Sequence, residues 1–278
     1  MRFTFPRRSR LAVVASAAVI ALGLAGCAST PSADPGAAAG DDLGVLTVGA
    51  LATPAGDILK FVQDTLAADA GLEIQFQEFT DYNTPNIALT DGSIDANLFQ
   101  NSTFLETYND STGADLVSVG EAYLPSAAFY SDKVTSLDDL EDGATIAIPN
   151  DPTNEGRALG ILADEGLIEI ADNASTLADI TDNPNDFEFV EIENATLPQA
   201  LPDVDAAFVT ISFALPAGLT SEQAILIEGD SSPYFNILAT RTDLKDDPRI
   251  QKLYELLTSD AVAQFEEETW GGLVVPAS

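Results

Sequence analysis

Cations are scarce in this chain, so the position of each one carries information. The 278 residues hold 11 Lys and Arg against 45 Asp and Glu, and no histidine. Arg157 closes the run Ile148-Pro149-Asn150-Asp151-Pro152-Thr153-Asn154-Glu155-Gly156-Arg157, which reads as a strand end, a proline-rich turn and a helix start near Thr153. Free backbone N–H groups at a helix start attract anions, and a guanidinium holds a carboxylate through two parallel hydrogen bonds. Arg157 is therefore placed to hold an anionic ligand group, or else to form a surface salt bridge with one of the many carboxylates. Tyr82, Phe99 and Phe104 fall near strand ends or turns, where aromatic rings wall apolar pockets or pack into a core. Asn236 follows Ser232-Pro233-Tyr234-Phe235 and opens an apolar strand. Its amide accepts from an ammonium and donates to a carboxylate, or serves a turn.

Other chemistries are excluded by residue type. Without histidine there is no Ser-His-Asp or Cys-His arrangement. One cysteine and no histidine make a zinc site of the usual kind untenable. No phosphate-binding loop, dinucleotide fingerprint or calcium loop is present. No acid or base is marked out for catalysis, so a binder is expected rather than an enzyme, with no cofactor or metal. The acidic excess repels nucleic acid and anionic headgroups.

These residues sit on a βα rhythm. Strands are predicted at residues 45–50, 73–79 and 96–99, with helical spacing of Ile58, Phe61, Val62 and Leu66 and a short helix at 86–89. The rhythm recurs with strands at 145–148, 187–192 and 206–209 and helices at 153–165 and 195–201. A strand at 237–240 and helices at 247–257 and 260–269 close the chain, with Pro248 suited to a first helical turn. Such a pattern implies α/β lobes with a ligand cleft beyond the carboxyl ends of the strands.

The N-terminus has the layout of an export signal. Arg2, Arg7, Arg8 and Arg10 precede an apolar stretch at 11–24, which is shorter than the roughly 20 residues a spanning helix needs. Leu24-Ala25-Gly26-Cys27 resembles the bacterial lipobox, which implies cleavage before Cys27 and diacylation of its thiol. Two acyl chains anchor stably where one does not. Residues 1–26 are thus expected to be a signal peptide and 27–42 a flexible tether, rich in Ala, Ser, Pro and Gly. Cleavage leaves seven basic residues against 45 acidic ones, a net charge of −38. It also removes Met1, the single methionine, so Cys27 carries the only sulfur of the mature chain.

Several runs in order are similar to the NlpA lipoprotein family, the methionine-binding lipoproteins of ABC importers, over residues 46–276. They are Glu78-Phe79-Thr80-Asp81-Tyr82, Asp95-Ala96-Asn97-Leu98-Phe99-Gln100, the stretch from Ala147 through Arg157 to Leu159, Asp203-Val204-Asp205-Ala206-Ala207, Ser232-Pro233-Tyr234 and Gly271-Gly272-Leu273-Val274-Val275-Pro276. The resemblance implies a two-lobed, periplasmic-binding-protein-like α/β fold. Residues 43–124 and 235–278 would form one lobe and 125–234 the other. It implies that Arg157 holds a ligand carboxylate, that Asn236 holds the α-amino group, and that Tyr82, Phe99 and Phe104 line a side-chain pocket. The partners it implies are an ABC permease with its ATPase, at the outer face of the bacterial cell membrane. The chain departs from the family pattern at Asn101 (usually His), Phe104 (usually Tyr), Gly56 (usually His) and Thr210-Ile211-Ser212-Phe213-Ala214 (usually Asn-Gly-Asn-Tyr-Ala). Ser212 replaces an Asn that contacts the ligand backbone. A D-amino acid or a short peptide stays open as ligand beside methionine, and a lipid-anchored surface enzyme or adhesin as the rival class.

Overall fold

The computed structural model describes residues 42–229 and 232–277, so the expectations for the signal segment, for Cys27 and for nearly all of the tether lie outside the described residues. The chain runs β1 (Gly44–Leu51), α1 (Ala55–Val62), β2 (Leu72–Phe79), α2 (Thr84–Thr90), β3 (Ala96–Asn101), α3 (Ser102–Thr112), β4 (Leu116–Pro125) and β5 (Ala127–Tyr130). It continues through β6 (Thr145–Pro149), α4 (Pro152–Asp164), the short β7 (Glu169–Ile170) and β8 (Ile180–Asp182), β9 (Glu188–Ile192), α5 (Leu197–Ala200) and β10 (Ala206–Thr210). It ends with α6 (Ile211–Ala214), β11 (Ala224–Ile227), β12 (Asn236–Arg241), α7 (Pro248–Leu257), α8 (Asp260–Trp270) and β13 (Val274–Pro276).

Among the described residues the strands form two main mixed sheets, ordered β13-β4-β12-β3-β1-β2 and β11-β5-β10-β6-β9. In the first, β1 runs parallel to β2 and β3, while β12 is antiparallel to β3 and β4. In the second, β6 is parallel to β9 and β10, and β5 is antiparallel to β10 and β11. The chain leaves the first sheet at Pro125 and Ser126 and returns to it between β11 and β12. The fold class expected from the sequence, a two-lobed α/β binding-protein architecture, is the one observed.

Apolar spacing explains the layers. Leu46, Val48 and Ala50 of β1 are fully buried against Ile58, Leu59 and Val62 of α1 and Ile250, Leu253 and Leu257 of α7. Phe61 of α1 stacks on Phe265 of α8, their centroids 4.4 Å apart. In the second lobe Ile146 and Ile148 of β6 pack on Ala158, Leu159 and Leu162 of α4.

Three expectations change. The helix expected over 195–201 shrinks to the single turn α5; Leu201 keeps helical angles, but Pro202 after it has no N–H with which to extend the hydrogen-bond ladder. Phe104 lies in the first turn of α3, and not in a loop or at a strand end. The polar residues of α3 hide its one buried side chain, Leu105, from any periodicity search. The start of α4 is not a vacant anion site. Asp151 accepts from the N–H of Asn154 at 2.9 Å, so the helix end is already capped by a carboxylate of the chain itself.

Candidate functional site

A narrow cavity of ≈ 10 Å³ lies in the cleft between the two sheets, lined by Tyr82, Phe99, Gln100, Asn101, Phe104, Pro125, Asn154, Arg157, Thr210 and Asn236. That is far below the about 300–1,000 Å³ of small-molecule pockets, so the two lobes have to part to admit a ligand. Six of the seven ligand-site residues expected from the sequence meet there. The seventh, Ser212, is buried at the start of α6 and does not line the cavity. Its hydroxyl lies behind Tyr82, where it helps to offset the rise in the phenol's pKa that burial causes.

The ends of β2, β3, β6 and β10 and the start of β12 deliver these side chains, as the rule of binding beyond the carboxyl ends of strands leads one to expect. Asn101 ends β3 and caps α3, its Oδ1 accepting from the N–H of Phe104 at 2.9 Å. Behind it, Gln100, Asn97 and Asn86 form a buried amide network, with Asn86 Nδ2 donating to Gln100 Oε1 and Gln100 Nε2 to Asn86 Oδ1, each at 2.7 Å. Buried amides satisfied in this way hold one geometry, because breaking any bond strands the others. Asn236 is buried at the head of β12 and donates from Nδ2 to the Tyr123 hydroxyl at 2.9 Å. Its Oδ1 makes no hydrogen bond among the described residues, which leaves an acceptor at the cavity.

Arg157 is 3 % exposed on α4. Gly156 beside it has to be glycine, since a Cβ there would lie 2.5 Å from the carbonyl oxygen of Ala174. The guanidinium is neither on the surface nor free to use its two-nitrogen fork on a ligand. Nε donates to Glu228 Oε1 at 2.9 Å and Nη2 donates to Glu228 Oε2 and to the carbonyl of Pro125. The side chain of Glu228 is 8 % exposed, and its Oε1 also accepts from Ser232 Oγ at 2.9 Å. The Tyr234 ring lies 4.7 Å from the guanidinium carbon and completes the clamp. Pro125 belongs to one crossing between the sheets, and Glu228, Ser232 and Tyr234 to the other. Nη1 makes no hydrogen bond among the described residues. It is the donor left to a bound molecule, so the parallel pair of bonds expected for a ligand is formed with Glu228 instead. Glu228, Thr210, Gln100 and Asn154 escaped the sequence reading. One acid among 45 carries no signal of its own, and Glu228 lies 71 positions from its partner.

The aromatic wall crosses the cleft. Tyr82 meets Phe99 at 5.8 Å, Phe104 at 6.0 Å and, from the other lobe, Phe213 at 4.8 Å between centroids. The Tyr82 hydroxyl and Thr210 Oγ1 share a hydrogen bond of 3.0 Å, again from lobe to lobe. Losing such a bond costs about 0.5–1.5 kcal/mol. Tyr82→Phe is therefore expected to lower the ratio of closed to open molecules by roughly 2- to 12-fold, read by single-molecule energy transfer between dyes on the two lobes. An unchanged distance distribution would show that the hydroxyl pair does not hold the cleft shut.

Among the described residues no helix is long and apolar enough to cross a membrane, and no cluster of three or more potential ligating side chains is placed to hold a metal. Comparison with known proteins gives consistent results. The family described as NlpA lipoprotein matches residues 46–278. The D-methionine-binding lipoprotein MetQ of Salmonella typhi is 37 % identical over 233 residues, 82 % of this chain and 86 % of that one. A nutrient-binding protein from Burkholderia cenocepacia, solved bound to methionine, is 37 % identical with a TM-score of 0.81, over 84 % of this chain and 100 % of that chain. A periplasmic substrate-binding protein of an ABC transporter from Coxiella burnetii is 39 % identical with a TM-score of 0.80, over the same shares.

Proposed function

Because the chain belongs to the NlpA lipoprotein family, we propose that it is the substrate-binding lipoprotein of an ABC importer and captures methionine or a closely related amino acid. The observation that carries this reading is that Arg157 and Asn236 line one cavity beside an aromatic wall, with Nη1 as donor and Oδ1 as acceptor both without hydrogen-bond partners among the described residues. A ligand carboxylate on the first and its ammonium on the second would turn the side chain toward Tyr82, Phe99 and Phe104. A thioether is polarizable and packs well against aromatic rings.

Capture needs no bond chemistry. Residues 43–124 with 235–278 and residues 125–234 act as two bodies that swing about Pro125–Ser126 and the return crossing. A ligand that touches both favours the closed population by its differential affinity. Diacylated Cys27 would hold the protein at the outer face of the cell membrane, where tethering raises its effective concentration at a permease and its ATPase.

A short peptide is the second reading, and one feature favours it. Tyr82 and Phe104 also line an outer groove of ≈ 160 Å³ with Asn83, Thr107, Tyr108, Ser111, Asp151, Pro152 and Thr153, which gives a longer ligand somewhere to extend. A thermal-shift panel of L- and D-amino acids and dipeptides on the purified lipoprotein separates the two. A ligand at 100 times its Kd should add about 2.7 kcal/mol of stability. Silence from every methionine-related compound would refute the primary reading, and a response confined to dipeptides would select the second.

A further inference from the structure

We propose that Glu228 sets the charge selectivity of this site, making it a receptor for ligands without net charge, amino-acid zwitterions, over carboxylates that lack an ammonium. The inference rests on the amino-acid reading given above. Among the described residues Arg157 is the one charged side chain lining the cavity. Alone, a buried guanidinium would attract any carboxylate and would favour an anion over a zwitterion. Glu228 is in direct contact with it through Nε and Nη2, and both side chains are withdrawn from water. Opposite charges at contact reduce a monopole to a dipole, and the difference is largest where solvent does not screen it.

Asp151 does not line the cavity, and its oxygens accept from the N–H of Asn154 and from the side-chain amides of Asn154 and Asn194. Ser232 fixes the rotamer of Glu228, and Tyr234 covers the guanidinium. The site therefore offers Nη1 as a donor and Asn236 Oδ1 as an acceptor, with the charge of Arg157 matched by Glu228. Glu228 acts through Arg157 and is a positioning residue.

The test uses the full-length lipoprotein in detergent and calorimetric titration with three probes: methionine (zwitterion), 4-(methylthio)butanoate (anion) and methioninamide (cation). The wild type should bind methionine tighter than either of the others by at least about tenfold, the factor produced by ~1.4 kcal/mol. Glu228→Gln keeps the shape and removes the charge. It should raise the affinity ratio of 4-(methylthio)butanoate to methionine by about tenfold or more, whereas Glu228→Asp should keep the wild-type ratio. A simple loss of packing would weaken all three probes together and leave the ratio alone. An unchanged ratio in Glu228→Gln overturns the inference. Should that variant not fold, the wild type still decides, because an anion bound as tightly as methionine overturns it too. A wild-type protein that binds no methionine defeats the amino-acid reading, and the inference with it, a result distinct from methionine binding with an unaltered ratio.

Discussion

Arg157→Ala is expected to weaken ligand capture sharply and to weaken the fold at the same time. The loss of binding follows from Nη1, the cationic donor at the cavity. A hydrogen bond to a charged group contributes about 1.5–3 kcal/mol, so affinity should fall by roughly 10- to 150-fold. The loss of stability follows from Glu228. With Arg157 gone, a side chain 8 % exposed keeps a negative charge with Ser232 Oγ as its remaining side-chain partner. Removing one member of a buried ion pair costs about 3–5 kcal/mol, whereas replacing both is often nearly neutral. The double variant Arg157→Ala/Glu228→Ala should therefore recover stability relative to Arg157→Ala without recovering its affinity. Denaturant unfolding and titration calorimetry on the four proteins of this cycle measure the two effects separately. Arg157→Ala with native affinity would rule out the carboxylate role, and a double variant no more stable than the single would rule out the unpaired-charge explanation.

The second large effect is on pH. Glu266 of α8 is 1 % exposed, and both its carboxyl oxygens lack a hydrogen-bond partner among the described residues. Burial pushes its pKa up to about 8. The folded protein thus keeps this proton to about pH 8, whereas the unfolded chain releases it near the ordinary value of 4.5. Between those values the folded state binds more protons than the unfolded one, so this group's contribution to stability falls as pH rises. It is fully present below pH 4.5 and lost by about pH 8, a change on the order of 5 kcal/mol at 1.36 kcal/mol per unit. Asp205 and Asp247, whose hydrogen bonds and basic neighbours hold them below the usual carboxylate range, act in the opposite direction and lose their contribution on acidification. The comparison with Glu266→Gln isolates the single group. The stability of the wild type minus that of the variant should decline steadily from pH 4.5 to 8. A flat difference would mean that Glu266 ionises as an ordinary surface carboxylate.

Much of the scaffold was readable before any coordinates. β1, β2, β6, β10 and β12, together with α1, α4, α7 and α8, announce themselves through apolar spacing, flanking Gly and Pro, and capping residues such as Asp247 before Pro248. β4 did not. Gly120 and Glu121 interrupt its pattern, and it is a strand because β12 and β13 pair with it on both sides. Its glycine reads as a breaker, yet a Cβ there would sit 2.2 Å from the Tyr254 hydroxyl, so α7 requires it. β11 and β13 are too short, at four and three residues, to show a period.

The site divides along the same line. By itself the sequence determined which residue types were available: a few cations, an amide opening a strand, aromatics at strand ends and no histidine. Long matched runs added the family and hence the expected roles of Arg157 and Asn236. How those groups are used is set by tertiary contacts. They turn the two-nitrogen face of Arg157 toward Glu228 and Pro125, leave Nη1 and Asn236 Oδ1 without hydrogen-bond partners among the described residues, place Ser212 behind Tyr82, and put Phe104 on a helix. The reason is physical: a hydrogen-bond donor has a fixed number of protons. Which of them remain for a ligand depends on side chains 32 and 71 positions away, and no local pattern records that distance.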